Sequence, residues 1–78
     1  MGDRLLWRCR RGMRELDTVV EGYYLRCYAQ LDTSGKATFE TLLEEADPDI
    51  FAWLTRKQPV PRNYLPLIER MRTLASEA

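Results

Sequence analysis

Apolar residues recur at intervals of three or four along most of the 78-residue chain, the spacing that places them on one face of an α-helix. No stretch alternates apolar and polar residues with period two, and the β-branched residues are scattered. Turn-forming residues divide the pattern into helical segments at about residues 3–11, 14–31, 36–45, 47–57 and 63–75. The pattern predicts an all-α fold, a small and mostly antiparallel five-helix bundle that forms a single domain over residues 1–78.

The first segment is predicted to end just before Gly12. Asp3 is placed to cap its start. Trp7 lies to the side of an apolar stripe formed by Leu5, Leu6 and Cys9. Basic residues followed by a glycine are typical of a helix C-terminus, because cations suit the helix dipole and glycine tolerates positive φ.

The second segment carries a longer apolar stripe, formed by Leu16, Val19, Val20, Tyr23, Cys27 and Leu31. Gly22 inside this segment costs about 1 kcal/mol relative to alanine. We interpret that glycine as a point of close approach to a neighbouring helix. Tyr24 and Tyr28 form a second, partly exposed aromatic pair.

The third and fourth segments have recognisable starts. Thr33 or Ser34 is the predicted cap of the third. Asp47 is the predicted cap of the fourth, because Pro48 follows it at a position where a helix needs no N–H donor. In the fourth segment we expect Trp53 at the rim of the core, outside an inward face formed by Ile50, Phe51 and Leu54.

The fifth segment follows an extended connection that contains Pro59 and Pro61, which do not suit a helix. Asn63 or a neighbouring residue is predicted to begin it, and Pro66 is tolerated only in its first turn. Its apolar stripe consists of Leu67, Ile68, Met71, Leu74 and Ala75.

The charges sum to zero but are unevenly distributed along the chain. The net charge is +4 over residues 1–14, −7 over residues 15–49 and +3 over residues 50–78. Such a mixture suits a protein partner of mixed charge better than a polyanion, and it argues against the alternative of a helical nucleic-acid binder. No apolar run approaches the roughly 20 residues of a membrane span, so we expect no membrane insertion.

Several kinds of catalytic or metal site are excluded by composition. The chain has no histidine, so it has no Ser-His or Cys-His nucleophile, and Cys9 and Cys27 alone do not supply the four ligands of a zinc site. We expect both cysteines to be plain buried thiols. The isolated glycines cannot cradle a phosphate, so no cofactor of its own is expected. Pairs of neighbouring carboxylates could serve as the acid and base of a small hydrolase, so that alternative stays open. Roles as helix caps and on solvent-exposed helix faces explain these pairs more simply.

The densest charge lies at the junction of the first two segments. Four arginines fall within seven residues, at Arg8, Arg10, Arg11 and Arg14, and Glu15 and Asp17 follow. One interpretation is structural, with basic residues ending one helix and acidic residues beginning the next. The other is a partner-binding surface that both donates and accepts hydrogen bonds, with Trp7 as an exposed hot spot. The residues alone leave both open.

Two motifs resemble a known family. RRGMRELD at residues 10–17, followed by DPDIFAWL at residues 47–54, resembles the succinate dehydrogenase assembly factor family of small flavinylation factors. The similarity extends over about residues 6–74 in order and spacing. It implies a five-helix bundle, in agreement with the segments above.

The resemblance implies an assembly chaperone, not an enzyme. Members bind the flavoprotein subunit of succinate dehydrogenase, and in bacteria of fumarate reductase, and promote covalent attachment of FAD to that partner. The family's Arg-Gly-x-x-Glu signature corresponds to Arg11, Gly12 and Glu15. Arg10, Asp17 and Trp7 flank it and are predicted to contribute to partner binding.

Two further expectations concern location and oligomeric state. The chain lacks the mitochondrial leader that animal or fungal members of the family carry, which favours a bacterial cytoplasmic form. We expect a monomer, with a homodimer through exposed aromatic residues as the open alternative. The alternative function is a regulatory protein-binding module, such as the antitoxin of a toxin pair. Capture of a different partner would distinguish the two.

Overall fold

Five α-helices make up most of residues 4–77, the part of the chain that the computed structural model describes. They are α1 (Arg4–Arg8), α2 (Arg14–Cys27), α3 (Thr33–Leu42), α4 (Asp47–Leu54) and α5 (Leu65–Glu77). Short 3₁₀ turns occupy Tyr28–Gln30 and Arg62–Tyr64, and no strand occurs in residues 4–77. The predicted all-α fold with five helices is confirmed. The predicted cap Asp3 lies outside the described residues.

A single apolar core holds the helices together. The longest helices, α2 and α5, pack against each other, and α4 packs against both. The large side chains that are fully buried come from every helix except α1 and from the loop after α1: Cys9, Leu16, Val20, Phe39, Leu42, Ile50, Ile68 and Met71. Burial of such side chains is the main source of stability in a domain this small.

Most helix ends differ from the prediction. The first helix ends at Arg8. The backbone N–H groups of Cys9 and Arg10 each donate to a carbonyl three residues earlier, as in a 3₁₀ turn, and the α-helical pattern stops there. Helix α2 ends at Cys27 and continues as a 3₁₀ turn. Local hydrogen bonds at helix ends are not visible in apolar periodicity, which explains the discrepancy.

The predicted caps of the third and fourth helices were wrong. Asp32 caps α3, and its carboxylate accepts a hydrogen bond from the Gly35 N–H at 2.7 Å. Helix α4 has Ala46 at its cap, and Asp47 is already helical. The Asp47 carboxylate instead accepts a hydrogen bond from a distant arginine, described below. Pro48 stands in the first turn, as predicted.

Helix α4 ends earlier than residue 57 because the chain adopts a left-handed conformation at Arg56, with φ 64°. The Arg56 N–H donates to the Trp53 carbonyl at 3.3 Å, and the Lys57 N–H donates to the Ala52 carbonyl at 2.8 Å. This is a Schellman motif, which normally has glycine at the left-handed position. Here a long cationic side chain takes that position.

Two interior predictions also need correction. Trp53 is buried rather than at the rim, because its ring packs on Tyr64 with centroids 5.5 Å apart. Tyr64 is itself a buried core residue, although it lies outside the apolar stripe of the fifth segment. A Cβ added at Gly22 would meet nothing within 4 Å, so that glycine is not a point of close helix approach.

Other expectations agree with the structure or differ only slightly. Tyr24 and Tyr28 are partly exposed and paired, with ring centroids 5.0 Å apart. Cys9 is buried and Cys27 partly so, and both are free thiols. Pro66 lies in the first turn of α5, as predicted. Ala75, which the stripe of the fifth segment had placed inward, is exposed.

Candidate functional site

The loop over residues 9–13 connects α1 to α2 and is held at both ends. Cys9 anchors its start, because its side chain is fully buried and its thiol donates to the Leu5 carbonyl at 3.3 Å. Gly12 has φ +93°, a conformation that L side chains rarely adopt, and the chain then enters α2 through the extended residue Met13. The glycine is therefore required by the backbone path of this loop.

Arg11 ties this loop to the connection between α3 and α4. Its Nε donates to Asp47 Oδ1 at 2.8 Å, its Nη2 donates to the Glu45 carbonyl at 2.5 Å, and its Nη1 donates to the Leu43 carbonyl. The Arg11 side chain is only 12% exposed. The planar fork of a guanidinium is suited to such a multiple contact, which a lysine ammonium cannot reproduce. Arg11 thus links the two motifs, residues 10–17 and residues 47–54.

Asp17 holds the same loop from the other side. It lies in the first turn of α2, is partly buried, and accepts a hydrogen bond from the Arg11 backbone N–H. The main chain and the side chain of Arg11 are therefore both engaged within the molecule. The structure places Arg11, Asp17 and Asp47 together as a rigid junction.

The other predicted site residues are exposed. Trp7 is 70% exposed, the largest value among the exposed large hydrophobic residues of the described chain. The Arg10 side chain is 67% exposed, with its Nε 3.7 Å from the Glu21 carboxylate. Gly12 and Glu15 are also exposed. These residues are exposed to solvent, whereas the polar groups of Arg11 and Asp17 are engaged within the molecule.

Tyr64 holds the opposite side of the α3–α4 connection. Its hydroxyl donates to Glu45 Oε2 at 2.8 Å. Burial, followed by the hydrogen bond and the charge of Glu45, raises the pKa of Tyr64 to about 12. Burial also raises the pKa of Tyr23 in the core. The connection is therefore held by Arg11 on one side and Tyr64 on the other.

An open groove of about 490 Å³ lies between α2, α4 and α5, beginning beside the exposed Glu15. The sequence pattern does not reveal this groove, because its walls come from three segments that are distant in the chain. Its main lining residues are Glu15, Val19, Phe51, Leu54, Arg56 and Arg72. No residue in the sequence signals the groove, because the left-handed conformation at Arg56, where glycine is usual, is visible only in the structure.

The described residues also bear on metal binding and on membrane insertion. No group of three or more metal-ligating side chains occurs among them. Within residues 4–77, no helix is both long enough and apolar enough to cross a membrane. The fold and its surface thus define a class: a small all-α protein whose most distinctive feature is a rigid, charged junction between two helices.

Comparison with known proteins identifies the family. A family model described as the flavinator of succinate dehydrogenase matches residues 3–75. The chain belongs to this flavinator family, which confirms the resemblance. The family is named for assembly of succinate dehydrogenase with its flavin, not for a catalytic activity of its own.

Individual relatives carry a consistent name. The chain is 40% identical over 70 residues to the FAD assembly factor SdhE of Haemophilus ducreyi, an alignment covering 88% of this chain and 85% of that protein. It is 47% identical over 51 residues to the FAD assembly factor SdhE of Vibrio cholerae, covering 65% of this chain and 59% of that protein. A relative of the same name in Idiomarina loihiensis is 46% identical over 55 residues.

Proposed function

We propose that this protein binds the flavoprotein subunit of succinate dehydrogenase, with the subunit of fumarate reductase as a second client, and promotes covalent attachment of FAD. The observation that carries the proposal is the exposure of Gly12, on a loop that Arg11 holds, and of Glu15, in the first turn of α2. The signature residues therefore have two roles in this proposal. Gly12 and Glu15 face the solvent, and Arg11 holds the loop in place.

The outward-facing residues supply the contacts with the flavoprotein. Glu15 accepts charge-assisted hydrogen bonds, and Gly12 lets the partner approach the backbone closely. Trp7 and Arg10 belong to the residue types that dominate binding energy at protein interfaces. Arg11 and Asp17 act as positioning residues, since their polar groups are engaged inside the molecule.

The flavin chemistry belongs to the flavoprotein in this proposal. The assembly factor binds one conformation of the flavoprotein, in which FAD and its attachment residue are oriented for reaction, more tightly than the others. It shifts the population toward that conformation only by this difference in affinity. Correct orientation alone can lower a barrier by several kcal/mol, so a small binding protein without a cofactor of its own suffices.

The test is production of the flavoprotein subunit with and without this chain, with covalent flavin measured as fluorescence of the denatured subunit on a gel. We expect the wild-type chain to give a strong band and Glu15→Ala to reduce it at least roughly tenfold, as loss of a central charged contact does. Glu40→Ala, which removes an exposed carboxylate on α3 that accepts a hydrogen bond from the Tyr28 hydroxyl, is the control and should retain the band.

Circular dichroism of each variant shows whether a weaker band results from unfolding of the variant or from loss of binding by a folded variant. If Glu15→Ala unfolds the protein, residues 10–17 have a purely structural role and the proposal loses its site. If the band is equally strong without this chain, the proposal is wrong, and the alternative of a regulatory protein-binding module becomes the one to pursue by partner capture.

A further inference from the structure

The groove between α2, α4 and α5 continues the proposed partner surface on to a second face of the molecule. Glu15 belongs to both, since it lies in the signature and lines one end of the groove. Val19, Phe51 and Leu54 form an apolar floor, and each is only partly buried by the rest of the protein. The floor is therefore open to an apolar side chain from outside.

The other end of the groove is basic. Arg56 lines it and is exposed, and its guanidinium forms no ion pair with any described side chain. The same end continues into a shallower concavity of about 360 Å³, which Lys57 also lines. The groove thus has a carboxylate at one end and uncompensated positive charge at the other, with apolar surface between.

Arg72 adds a second unsatisfied feature at the basic end. Its Nη2 donates to the Trp53 carbonyl at 2.5 Å, and its Nη1 donates to Glu69 Oε2 at 3.1 Å. Its Nε is buried and has no hydrogen-bond partner within the described chain. Buried N–H groups are nearly always paired in folded proteins, so this donor is an exception among the described residues.

The backbone at Arg56 supports the same conclusion independently. A non-glycine residue with φ 64° is strained, and glycine would relieve the strain without loss of the Schellman hydrogen bonds. The guanidinium at this position forms no hydrogen bond or ion pair with a described residue. Strain of this kind tends to occur where a side chain serves binding.

We propose that the groove binds a segment of the flavoprotein subunit that places an apolar side chain between Val19, Phe51 and Leu54 and a carboxylate beside Arg56. This inference rests on the function proposed above and specifies a second part of the same interface. Continuity with Glu15 favours the flavoprotein as the occupant. The opposite charges at the two ends give the bound segment one direction, with its basic end at Glu15 and its acidic end at Arg56.

The test uses Arg56→Gly and Arg56→Glu in the full-length chain. Affinity for the purified flavoprotein subunit without FAD is measured by calorimetry, and thermal unfolding is measured in parallel. We expect Arg56→Gly to raise the melting temperature and yet weaken binding roughly tenfold, because it relieves strain and removes the charge. Arg56→Glu should weaken binding further. Arg70→Ala, which removes an exposed arginine outside this groove, should leave affinity unchanged.

The controls separate failure of this inference from failure of the proposed function. If wild type binds, Glu15→Ala does not, and both Arg56 variants bind like wild type, the groove is not part of the interface. If wild type itself does not bind the subunit, both proposals are wrong. If the Arg56 variants alter self-association in sedimentation velocity and leave flavoprotein affinity intact, the occupant is a second copy of this chain and the inference is overturned.

Discussion

At the scale of single residues, the two neighbouring arginines of the junction have different roles. The side chain of Arg11 is 12% exposed and satisfies acceptors on another loop, whereas the side chain of Arg10 is 67% exposed. Charge density in the sequence could not distinguish them. The difference depends on which of the two side chains points toward the α3–α4 connection.

This difference predicts that loss of Arg11 lowers stability far more than loss of Arg10. We expect Arg11→Ala to lower the free energy of unfolding by about 2 kcal/mol, because it leaves the Asp47 carboxylate and two carbonyl groups without their donor. Arg10→Ala should change it by less than about 0.5 kcal/mol, since its ion pair is exposed. Urea denaturation of both variants is the measurement. Equal losses would show that Arg11 does not hold the junction.

Two glycines offer a second matched pair. Gly12 has φ +93° with open space where a Cβ would stand, so Gly12→Ala should destabilise the protein by roughly 1–3 kcal/mol through backbone strain alone. Gly22 lies inside α2 and also has open space, so Gly22→Ala should stabilise it by about 1 kcal/mol. Thermal melts of the two variants should shift in opposite directions. A stabilised Gly12→Ala would contradict the strain at this loop.

At the scale of elements, apolar periodicity predicted the five helices but not their ends. The spacing of apolar residues indicates which face of a helix is buried, and the buried residues of α2 and α5 agree with that indication. The caps depend on contacts that spacing does not contain. Asp47 looked like a cap because a proline follows it, but its carboxylate is engaged by Arg11, 36 residues away in the chain.

The α3–α4 connection should show a characteristic pH dependence through Tyr64. Burial and Glu45 raise the pKa of Tyr64 from 10.0 in the unfolded chain to about 12. Between these values the unfolded chain has released the proton that the folded protein retains, so stability falls as pH rises, by at most about 1.4 kcal/mol per pH unit. Urea denaturation across this window should show the fall.

Tyr64→Phe identifies the source of that pH dependence. The variant loses the hydrogen bond to Glu45, so it should be less stable than wild type by about 1 kcal/mol at neutral pH. Its stability should then decline less steeply above pH 10.0. An unchanged slope would assign the effect to other tyrosines, of which buried Tyr23 is the first to examine.

At the scale of the whole molecule, the signature and the groove differ in how far sequence could reveal them. The signature is local, so residues 10–17 are recognisable as a motif without any structure. The groove is formed by parts of α2, α4 and α5, and its apolar floor was indistinguishable from core residues in the same stripes. Only the packing of the three helices shows that Phe51 and Leu54 remain partly open.

The engagement of Arg11 also has a thermodynamic consequence for association. A loop that is already held by its main chain and side chain loses little conformational entropy when a partner covers it. Less of the contact energy is then consumed in ordering the surface, and more appears as affinity. A variant in which Arg11 no longer holds the loop should therefore have a less favourable binding entropy, even if every side chain that contacts the partner is retained.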